Sequence, residues 1–482
     1  MLLNVPQFVP QEVCLKCDGC CRFKEADSAW RPKVYADEVY RWRQDRPALA
    51  DKIFSLQTID SQERIVAVKS KHACQCRFFD KKDNTCKVYE GRPWECALYP
   101  FLLVRKKDDI MLSVHLACPH IQNHHGDSGY EGFLGELKDY FAREDTKKFI
   151  LNSFESFDDY AGYEDEIQPI APVGSRKAVT PENALLNQRM LLERSFLGQS
   201  PVLSTSSFAN VFSWKDFFGF QIEIIEGHVC VFANYSAGCF LYIPPIGSKY
   251  NQKLIARCFA IMDKANTRHP AVVSRIENVS KEQLKYFPEN KYAHYKKGDE
   301  YLYLKKDLIA LRGNPYKSKR SELNQFKRNY NAEYLPFQDE MLKECNELYR
   351  RWAQGRANKG NSDAYRFMIE DNEKVHAAAL KSHKELGLVG RVVKIDGKIV
   401  AYTFGYHLNS RTFCVLFEIA DLSYNGLPVY TFHSFCKDAA LGAYSFINVM
   451  DDFELENIQK TKISFRPQKL LATYTVKRRE SA

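Results

Sequence analysis

Four cysteines within eight residues give this sequence its clearest chemical signal. They are Cys14, Cys17, Cys20 and Cys21. A protein core has no need of cysteine at this spacing, whereas thiolates two or three residues apart can converge on one metal ion when a tight turn folds them together. Gly19 permits the positive φ that such a turn often needs. The segment therefore predicts a thiolate metal site.

Five further cysteines precede residue 119 and extend this set. They are Cys74, Cys76, Cys86, Cys96 and Cys118. Nine thiols exceed one tetrahedral site, so two mononuclear sites and one iron–sulfur cluster with spare thiols both remain open. Spacing does not choose between zinc and iron. Since no His/Glu pair stands beside the cysteines to complete an open, activated position, we expect a structural metal rather than a catalytic one.

Length and composition indicate a soluble globular protein. The chain has 482 residues, of which 45% are hydrophobic and 27% charged, and its length suggests about three domains. No run approaches the roughly 18 apolar residues of a membrane span, and the N-terminus does not read as a signal peptide. We therefore expect a cytoplasmic protein, where clustered cysteines favour metal or redox chemistry over disulfides. The net charge of +9 is compatible with a polyanionic partner.

The cysteine segments resemble a known family. The motifs are the opening C-x-x-C-x-x-C-C, the step from Cys86 to Tyr89, the Arg-Pro-x-x-Cys step at 92–96, and Cys118-Pro119. Over residues 10–125 they resemble the YkgJ-type family of zinc- or iron-chelating cysteine-cluster proteins, which implies zinc or iron as cofactor and the nine cysteines as ligands. His120, His124 and His125 follow Cys118 and could either add ligands or lie on a polar loop.

Three regions are predicted along the chain: a cysteine-cluster domain over 1–130, a helical segment and linker over 131–178, and a larger domain over 179–482. Gly132 to Phe154 has helical periodicity, and the proline-containing stretch 167–175 is typical of an exposed tether. Thr180 before Pro181 has the composition of a helix start.

The larger domain contains one pattern twice, namely three strands in a meander, a helix and a closing strand. The first copy comprises strands 221–226, 229–235 and 239–243, helix 250–265 and strand 271–276. The second comprises strands 389–395, 398–406 and 412–419, helix 427–441 and strand 445–449, with Asp396-Gly397 as a hairpin turn. Two such copies are similar to a duplicated GNAT-like acyltransferase fold. The expected fold class is α+β, a small cysteine-rich metal-binding domain followed by a tandem GNAT-like fold.

Several segments of this domain, in order, resemble the C-terminal domain of phosphatidylglycerol lysyltransferases. They are residues 207–220, 303–309, 311–326, 397–401, 417–421 and 447–452, with Lys462 and Arg466-Pro467. The resemblance covers about 183–478. It implies a tandem GNAT-like fold and, from the characterised branch, transfer of an aminoacyl group from charged tRNA to a lipid headgroup. This chain lacks the large membrane region of that branch, and Asp451-Asp452 stands where Arg-Glu often follows, so a lipid acceptor is not expected.

Carboxylates at strand ends are the candidate catalytic groups. Glu418 ends an apolar strand, where a carboxylate is costly unless it is used or paired. Asp451 and Asp452 follow a strand end and could serve as base or as helix caps. The expected substrate-binding residues are Lys317, Lys319, Arg320, Asn324, Lys462 and Arg466. A basic run interleaved with aromatic residues can bind phosphates and stack bases, although it can equally be a solvated face.

The sequence therefore predicts a metal-binding protein with a GNAT-like acyl- or aminoacyltransferase domain that acts on an amine or hydroxyl acceptor. The donor is open between aminoacyl-tRNA and acyl-CoA, although no glycine-rich turn supports coenzyme A. Expected partners are the metal ion and, for the aminoacyl reaction, tRNA. One alternative is a non-catalytic, metal-dependent adaptor that binds RNA or protein through its basic face. A third hypothesis is a redox-active cysteine module that gates the transferase.

Overall fold

The structure is a computed structural model. It describes residues 5–14, 16–17, 19–35, 38, 64–65, 67–69, 74–197, 203–235, 238–247, 250–267, 274–357, 363–453 and 455–479. The chain divides into two compact units, residues 1–191 and residues 192–482.

Short elements carry the cysteines of the first unit. They are α1 (Gln11–Cys14), β1 (Arg22–Phe23), β2 (Ala67–Lys69), β3 (Cys74–Cys76), β4 (Phe79–Asp80), β5 (Thr85–Cys86) and α2 (Trp94–Leu98). β3 lies between β1 and β2 in an antiparallel sheet, and β4 pairs with β5. These elements are two to five residues long and share one apolar cluster that includes Phe23, Phe78 and Phe79.

A second, larger sheet with helices completes the first unit. It comprises β6 (Phe101–Lys106), β7 (Asp109–His115), α3 (Pro119–His124), α4 (Ser128–Ala142), α5 (Glu144–Asn152), β8 (Ile167–Ser175) and α6 (Pro181–Asn187), and α7 (Arg189–Leu197) follows. The helix predicted after Thr180 is confirmed, because the Thr180 and Asn183 side chains form a capping box.

The stretch 167–175 differs from the predicted tether, because it forms strand β8. β8 pairs antiparallel with β7 from Ile167 opposite His115 to Ser175 opposite Asp109. Pro169 and Pro172 had suggested an exposed linker. They are tolerated here because β8 is an edge strand and both prolines lie beside irregularities in its register.

An eleven-stranded sheet organises the second unit. Its strands are β9 (Gly219–Ile225), β10 (His228–Tyr235), β11 (Gly238–Leu241), β12 (Arg275–Ser280), β13 (Tyr292–Leu304), β14 (Ala332–Pro336), β15 (Val389–Ile395), β16 (Lys398–Asn409), β17 (Thr412–Ala420), β18 (Phe446–Asn448) and β19 (Lys469–Arg478). They lie side by side in the order β14-β15-β16-β17-β18-β13-β19-β12-β11-β10-β9. Its helices are α8 (Phe208–Ser213), α9 (Gln252–Asn266), α10 (Lys305–Ala310), α11 (Lys317–Asn329), α12 (Leu342–Ala357), α13 (Asp363–Lys381), α14 (Leu427–Lys437) and α15 (Glu456–Ser464). Throughout the described ranges, no helix combines the length and the apolar character that a membrane crossing requires.

The predicted duplication is visible in this sheet. The antiparallel meander β9–β10–β11 leads through α9 to β12, which lies parallel to β11. The meander β15–β16–β17 leads through α14 to β18, which lies parallel to β17. Asp396 and Gly397 both have positive φ, as the predicted hairpin turn requires. Of the strand predicted over 271–276, residues 271–273 lie outside the described part, and β12 begins at Arg275.

Candidate active site and metal centre

A cavity of about 300 Å³ in the first unit gathers most of the predicted ligands. The cysteines that line it are Cys14, Cys17, Cys20, Cys21, Cys76, Cys86 and Cys96. All are free thiols. The rest of the wall is largely aromatic and apolar, with Trp30, Phe78 and Phe79 among its residues. Seven soft donors around one enclosed space are suited to zinc, iron or an iron–sulfur cluster.

Backbone hydrogen bonds bring these cysteines together from distant parts of the sequence. The Cys17 amide donates to the Cys14 carbonyl at 3.2 Å, which closes the first turn of the opening segment. The Cys76 amide donates to the Cys21 carbonyl at 2.8 Å, which fastens that segment to β3. The β4–β5 hairpin presents Cys86, and α2 presents Cys96.

The crowded thiols favour their protonated form in the absence of a cation. Burial raises the pKa of Cys14 to about 11, and the neighbouring Cys20 thiol adds to this shift. Burial also raises the pKa of Cys76 to about 11 and that of Cys96 well above its ordinary value. A bound cation would reverse this preference. Among the described side chains, no three His, Cys, Asp or Glu residues have the spacing of a ready coordination shell. The donor chemistry therefore fits a metal, although the described side chains do not have the spacing of a complete coordination shell.

The two remaining cysteines of the nine predicted ligands do not line the cavity. Cys74 packs in an apolar cluster with Phe23 and Val34, and Cys118 packs in the main core of the unit beside Ile121. Their role as ligands stays a prediction. Of the three histidines that the sequence singled out, His120 is half-buried, and His124 and His125 are exposed. His124 Nδ1 lies 3.0 Å from Asp127 Oδ2.

A hydrogen-bonded chain that the sequence did not reveal also reaches the cavity. Tyr99 Oη lies 2.9 Å from His115 Nδ1, and His115 Nε2 lies 3.1 Å from Glu166. Trp30 stacks on the imidazole with ring centroids 3.9 Å apart. All four residues line the cavity. A His/Glu pair therefore does stand beside the cysteines, contrary to the prediction, because β8 brings Glu166 next to the end of β7.

The second unit has its own cavity, of about 340 Å³. Six aromatic residues wall it, namely Trp214, Phe217, Phe218, Tyr235, Phe240 and Tyr242. Its polar lining includes Asp451, which follows β18, together with Asn210 and Glu300. An aromatic wall with a few converging polar groups is typical of a small-molecule site.

The turn that carries Asp451 is held in place by Lys462. The Lys462 Nζ donates to three successive carbonyls, those of Val449 at 2.7 Å, Met450 at 3.3 Å and Asp451. Met450 has a φ of 61°, a left-handed conformation that needs such support. Burial lowers the pKa of Lys462 to about 8 and raises that of Asp451. Lys462 was predicted to bind substrate, and this geometry instead gives it a positioning role.

Two polar groups of the cavity have no partner among the described residues. The Asn210 Oδ1 accepts a hydrogen bond from the Tyr242 hydroxyl at 2.7 Å, but its Nδ2 is buried and unpaired, and so is the Thr205 hydroxyl. Asn210 is 1% exposed. A buried N–H that makes no hydrogen bond is costly, which suggests a ligand acceptor at this position.

Glu300 and Asp452 contribute to the structure around this cavity. Glu300, 3% exposed, accepts hydrogen bonds from the Ser204 hydroxyl at 2.6 Å and from Asn448 Nδ2 at 2.7 Å. Burial raises its pKa. Asp452 does not line the cavity, since its carboxylate accepts the Tyr301 hydroxyl. Asp452 therefore resembles a structural acceptor. Of the two aspartates, Asp451 is the one that lines the cavity, where Glu277 and Glu300 are the other carboxylates.

Glu418 lies elsewhere, on β17 opposite Thr403 of β16. It does not line the cavity of Asp451. Its Oε2 is enclosed and has no partner in the described part of the chain, and burial raises the pKa of Glu418 to about 8. The structure thus separates two carboxylates that the sequence had grouped as catalytic.

Glu418→Gln should change the pH dependence of stability. The folded-state pKa of about 8 lies above the ordinary value of 4.5, so between these values the native protein keeps a proton that the unfolded chain has released. Stability of the wild type therefore falls as pH rises through this window, and the loss is complete above pH 8. We expect the variant to be more stable than the wild type at pH 8.5, by more than about 1 kcal/mol. Urea unfolding at pH 5 and pH 8.5 measures this, and equal differences at both pH values would contradict it.

The predicted basic residues divide into structural and exposed ones. Lys319 is buried, with Nζ 4.8 Å from the Phe465 ring centroid, and Arg320 donates to the carbonyls of Leu311 and, at 2.7 Å, Gly313. The exposed members are Lys317, Asn324 and Arg466. Only the exposed members are available to a substrate at the surface.

Comparison with known families identifies both units. Residues 200–477, more than half of the chain, match the family model of the phosphatidylglycerol lysyltransferase C-terminal domain. The chain belongs to this family. Residues 13–119 match the model of a proposed zinc- or iron-chelating domain. Both resemblances seen in the sequence are thereby confirmed.

Several solved structures are similar to the lysyltransferase-family region. A conserved protein of unknown function from Bacteroides thetaiotaomicron is 23% identical, with a TM-score of 0.54 over 61% of this chain and 97% of that one. L-PGS from Bacillus licheniformis is 14% identical, with a TM-score of 0.43 over 61% of this chain and 92% of that one. A tandem GNAT protein from clavulanic acid biosynthesis is 9% identical, with a TM-score of 0.38 over 61% of this chain and 95% of that one. No curated protein matches the chain. The predicted α+β class with a duplicated meander–helix–strand pattern is confirmed by the sheet of the second unit.

Proposed function

We propose that the second unit is an acyl- or aminoacyltransferase whose reacting groups meet in the cavity beside Asp451, and that the first unit holds zinc or iron. The family is named for transfer of a lysyl group to phosphatidylglycerol, and an aminoacyl donor agrees with the lining of the cavity. The observation that carries the proposal is the unpaired, buried Asn210 Nδ2 in the same cavity as Asp451.

These two residues suit the two needs of acyl transfer. Attack by an amine or hydroxyl on an acyl carbonyl places negative charge on the carbonyl oxygen, and the Asn210 N–H is the donor that stabilises it. The attacking group must lose a proton, which the Asp451 carboxylate accepts. The bond between the acyl carbon and the donor oxygen or sulfur then breaks, and the leaving group takes up that proton. The aromatic wall excludes water from the step.

An acceptor-independent assay tests this function. Hydroxylamine is a small amine that captures transferred acyl groups as hydroxamates, so it replaces the unidentified acceptor. The protein is incubated with hydroxylamine and either aminoacyl-tRNA or acyl-CoA. We expect hydroxamate to form faster than in the protein-free reaction with the aminoacyl donor. No acceleration with either donor would favour the non-catalytic adaptor.

In the first unit, the seven cysteines that line the cavity are the proposed ligands. When bound, the metal would join the opening segment, β3, β5 and α2 through their thiolates. Those elements are too short to be stable by packing alone, so the metal site is proposed to be needed for folding of this region.

Helix α11 provides the proposed contact to tRNA. Lys327 and Arg328 are exposed near its end, and Lys327 lines an open groove of about 560 Å³ with Lys437 and Arg391. Arg391 is neutralised by Asp438 at 2.6 Å, which leaves the two lysines as the available cations. A phosphate backbone is the polyanion that such a groove can bind.

The double variant Lys327→Ala, Lys437→Ala, which removes both available cations of the groove, should weaken tRNA binding about tenfold at low salt. It should also make the dependence on salt weaker. The slope of the logarithm of the tRNA association constant against the logarithm of the salt concentration should fall in magnitude by roughly one to two, because two phosphate contacts are lost. Fluorescence anisotropy with labelled tRNA at several salt concentrations measures both. The matched control is Lys281→Ala, Lys291→Ala, two exposed lysines elsewhere in the unit. Equal losses in both double variants would remove this groove as the binding surface.

A further inference from the structure

Two histidines lie side by side on helix α3 of the first unit. His120 and His124 are four residues apart, which places them on the same face of the helix. The centroids of their imidazole rings lie 4.3 Å apart, with an angle of 42° between the ring planes. Neither residue lines the cysteine cavity. The pair is therefore separate from the cysteine ligands proposed above.

The carboxylate of Asp127 fixes the orientation of one of these rings. Its Oδ2 lies 3.0 Å from His124 Nδ1, and its Oδ1 accepts the Tyr130 amide at 2.7 Å as the N-cap of α4. An ionised carboxylate can only accept, so His124 donates from Nδ1 and keeps the lone pair of Nε2. Histidines that bind metals in proteins usually have this arrangement, in which the second ring nitrogen donates to a carboxylate or carbonyl.

The other ring is held by an aromatic contact. Phe8 packs edge-on against His120, with ring centroids 5.1 Å apart. His120 is half-buried, whereas the side chain of His124 is 46% exposed. The pair is thus anchored on both sides and open to solvent between them.

Two imidazoles at this separation suit a divalent transition metal ion. Imidazole nitrogen binds zinc, nickel and copper, and histidines four residues apart on one helix can hold zinc at Zn–N distances of about 2.0–2.1 Å. Rotation about the side-chain bonds brings one nitrogen of each ring to the same ion. Among the described side chains, no third His, Cys, Asp or Glu completes the set. Water therefore fills the remaining coordination positions.

We propose that His120 and His124 form a second metal site, on the surface of the first unit, which takes a divalent transition metal ion, and that Asp127 is a positioning residue for it. The site differs from the cysteine cavity in its ligands, since imidazole and water replace thiolates. Its open positions make the ion exchangeable with solvent. The inference does not depend on the cysteine site.

Nickel binding to the full-length protein without a purification tag tests this site. Ni²⁺ on thiolates absorbs light through sulfur-to-metal charge transfer, whereas Ni²⁺ on imidazole and water does not. Equilibrium dialysis gives the total nickel bound, and absorbance gives the part that is bound to thiolates. In the wild type we expect one further ion beyond that part. In His124→Ala, the affinity for this ion should fall by more than about tenfold, and His120→Gln should give the same result.

His125→Ala is the matched control. His125 is exposed and adjacent to the pair, but its ring packs on Tyr130 with centroids 4.8 Å apart. The residue four positions before it is Ile121, so it has no partner of this kind on its own face of the helix. Its replacement should leave the binding of nickel unchanged.

Asp127→Ser tests the positioning role. Serine can still cap α4, but it cannot hold the His124 ring as a carboxylate does. We expect the affinity for the imidazole-bound nickel to fall by about tenfold, while the melting temperature stays close to that of the wild type. An unchanged affinity would show that Asp127 only caps the helix.

The outcomes separate this site from the cysteine site. Equal losses of nickel in His124→Ala and His125→Ala would overturn the pairing of His120 with His124. Nickel bound to thiolates alone in the wild type would overturn the second site and leave the cysteine site standing. Imidazole-bound nickel without any thiolate-bound nickel would support the second site and contradict the cysteine site.

Discussion

Replacement of Asp451 by asparagine should reduce the kcat/KM of hydroxamate formation by about 10²–10⁴-fold, the usual range for loss of a general base. The carboxylate is the proton acceptor of the attacking amine, and an amide of the same shape cannot take that role. Binding of donor should change little, because the turn is held by the backbone contacts of Lys462. Steady-state kinetics with the aminoacyl donor measure the change.

Glu418→Gln is the matched control for this prediction. It also converts a carboxylate to an amide, but Glu418 lies outside the cavity, so transfer should stay within about twofold of the wild type. A large loss in Glu418→Gln with little loss in Asp451→Asn would contradict the assignment and move the reacting centre to β17.

Replacement of Cys20 by serine should abolish most of the metal binding of the first unit. Cys20 lines the cavity together with Cys14, Cys76 and Cys96, which come from three separate segments. Its loss leaves those segments without their common link. We expect metal content below half of the wild-type value and a melting temperature of the first unit lowered by roughly 10 °C, as loss of several kcal/mol would give. Elemental analysis and calorimetry measure these quantities.

Cys74→Ser is the control for this prediction. Cys74 belongs to the same predicted ligand set and packs in the apolar cluster behind the cavity wall, but it does not line the cavity itself. It should retain its metal while losing some stability, because a hydroxyl replaces a buried thiol. Loss of metal in Cys74→Ser but not in Cys20→Ser would contradict the proposed coordination sphere.

Local patterns in the sequence were sufficient for most of the fold. The spacing of Cys14 to Cys21 indicated the chelating family, and alternating strands around Asp396-Gly397 indicated the second meander. These features depend on neighbours in sequence. The strand at 167–175 was missed because its prolines resemble a linker, and their tolerance depends on β8 being an edge strand.

That single error also concealed the contact between His115 and Glu166. His115 and Glu166 are 51 residues apart in sequence, and they meet only because Ile167 of β8 pairs with His115 of β7. Had 167–175 been predicted as a strand against 109–115, the pair would have been expected.

The residues of the second unit's cavity could likewise be predicted from the sequence only in part. Asp451 could be predicted because it follows a strand end, a usual position for site residues. The role of Asn210 could not, because the segment 207–220 that contains it does not single it out, and the fold brings it from helix α8 to Asp451, 241 positions later in the sequence. The role of Lys462 in holding the turn likewise depends on a backbone conformation that sequence alone does not specify.

The position of a bound product tests the central claim most directly. A crystal structure of the protein with an aminoacyl hydroxamate should show that product in the cavity of the second unit, with its carbonyl oxygen within hydrogen-bonding distance of Asn210 Nδ2 and its amine group beside Asp451. Product bound next to Glu418, or anywhere outside this cavity, would contradict the account.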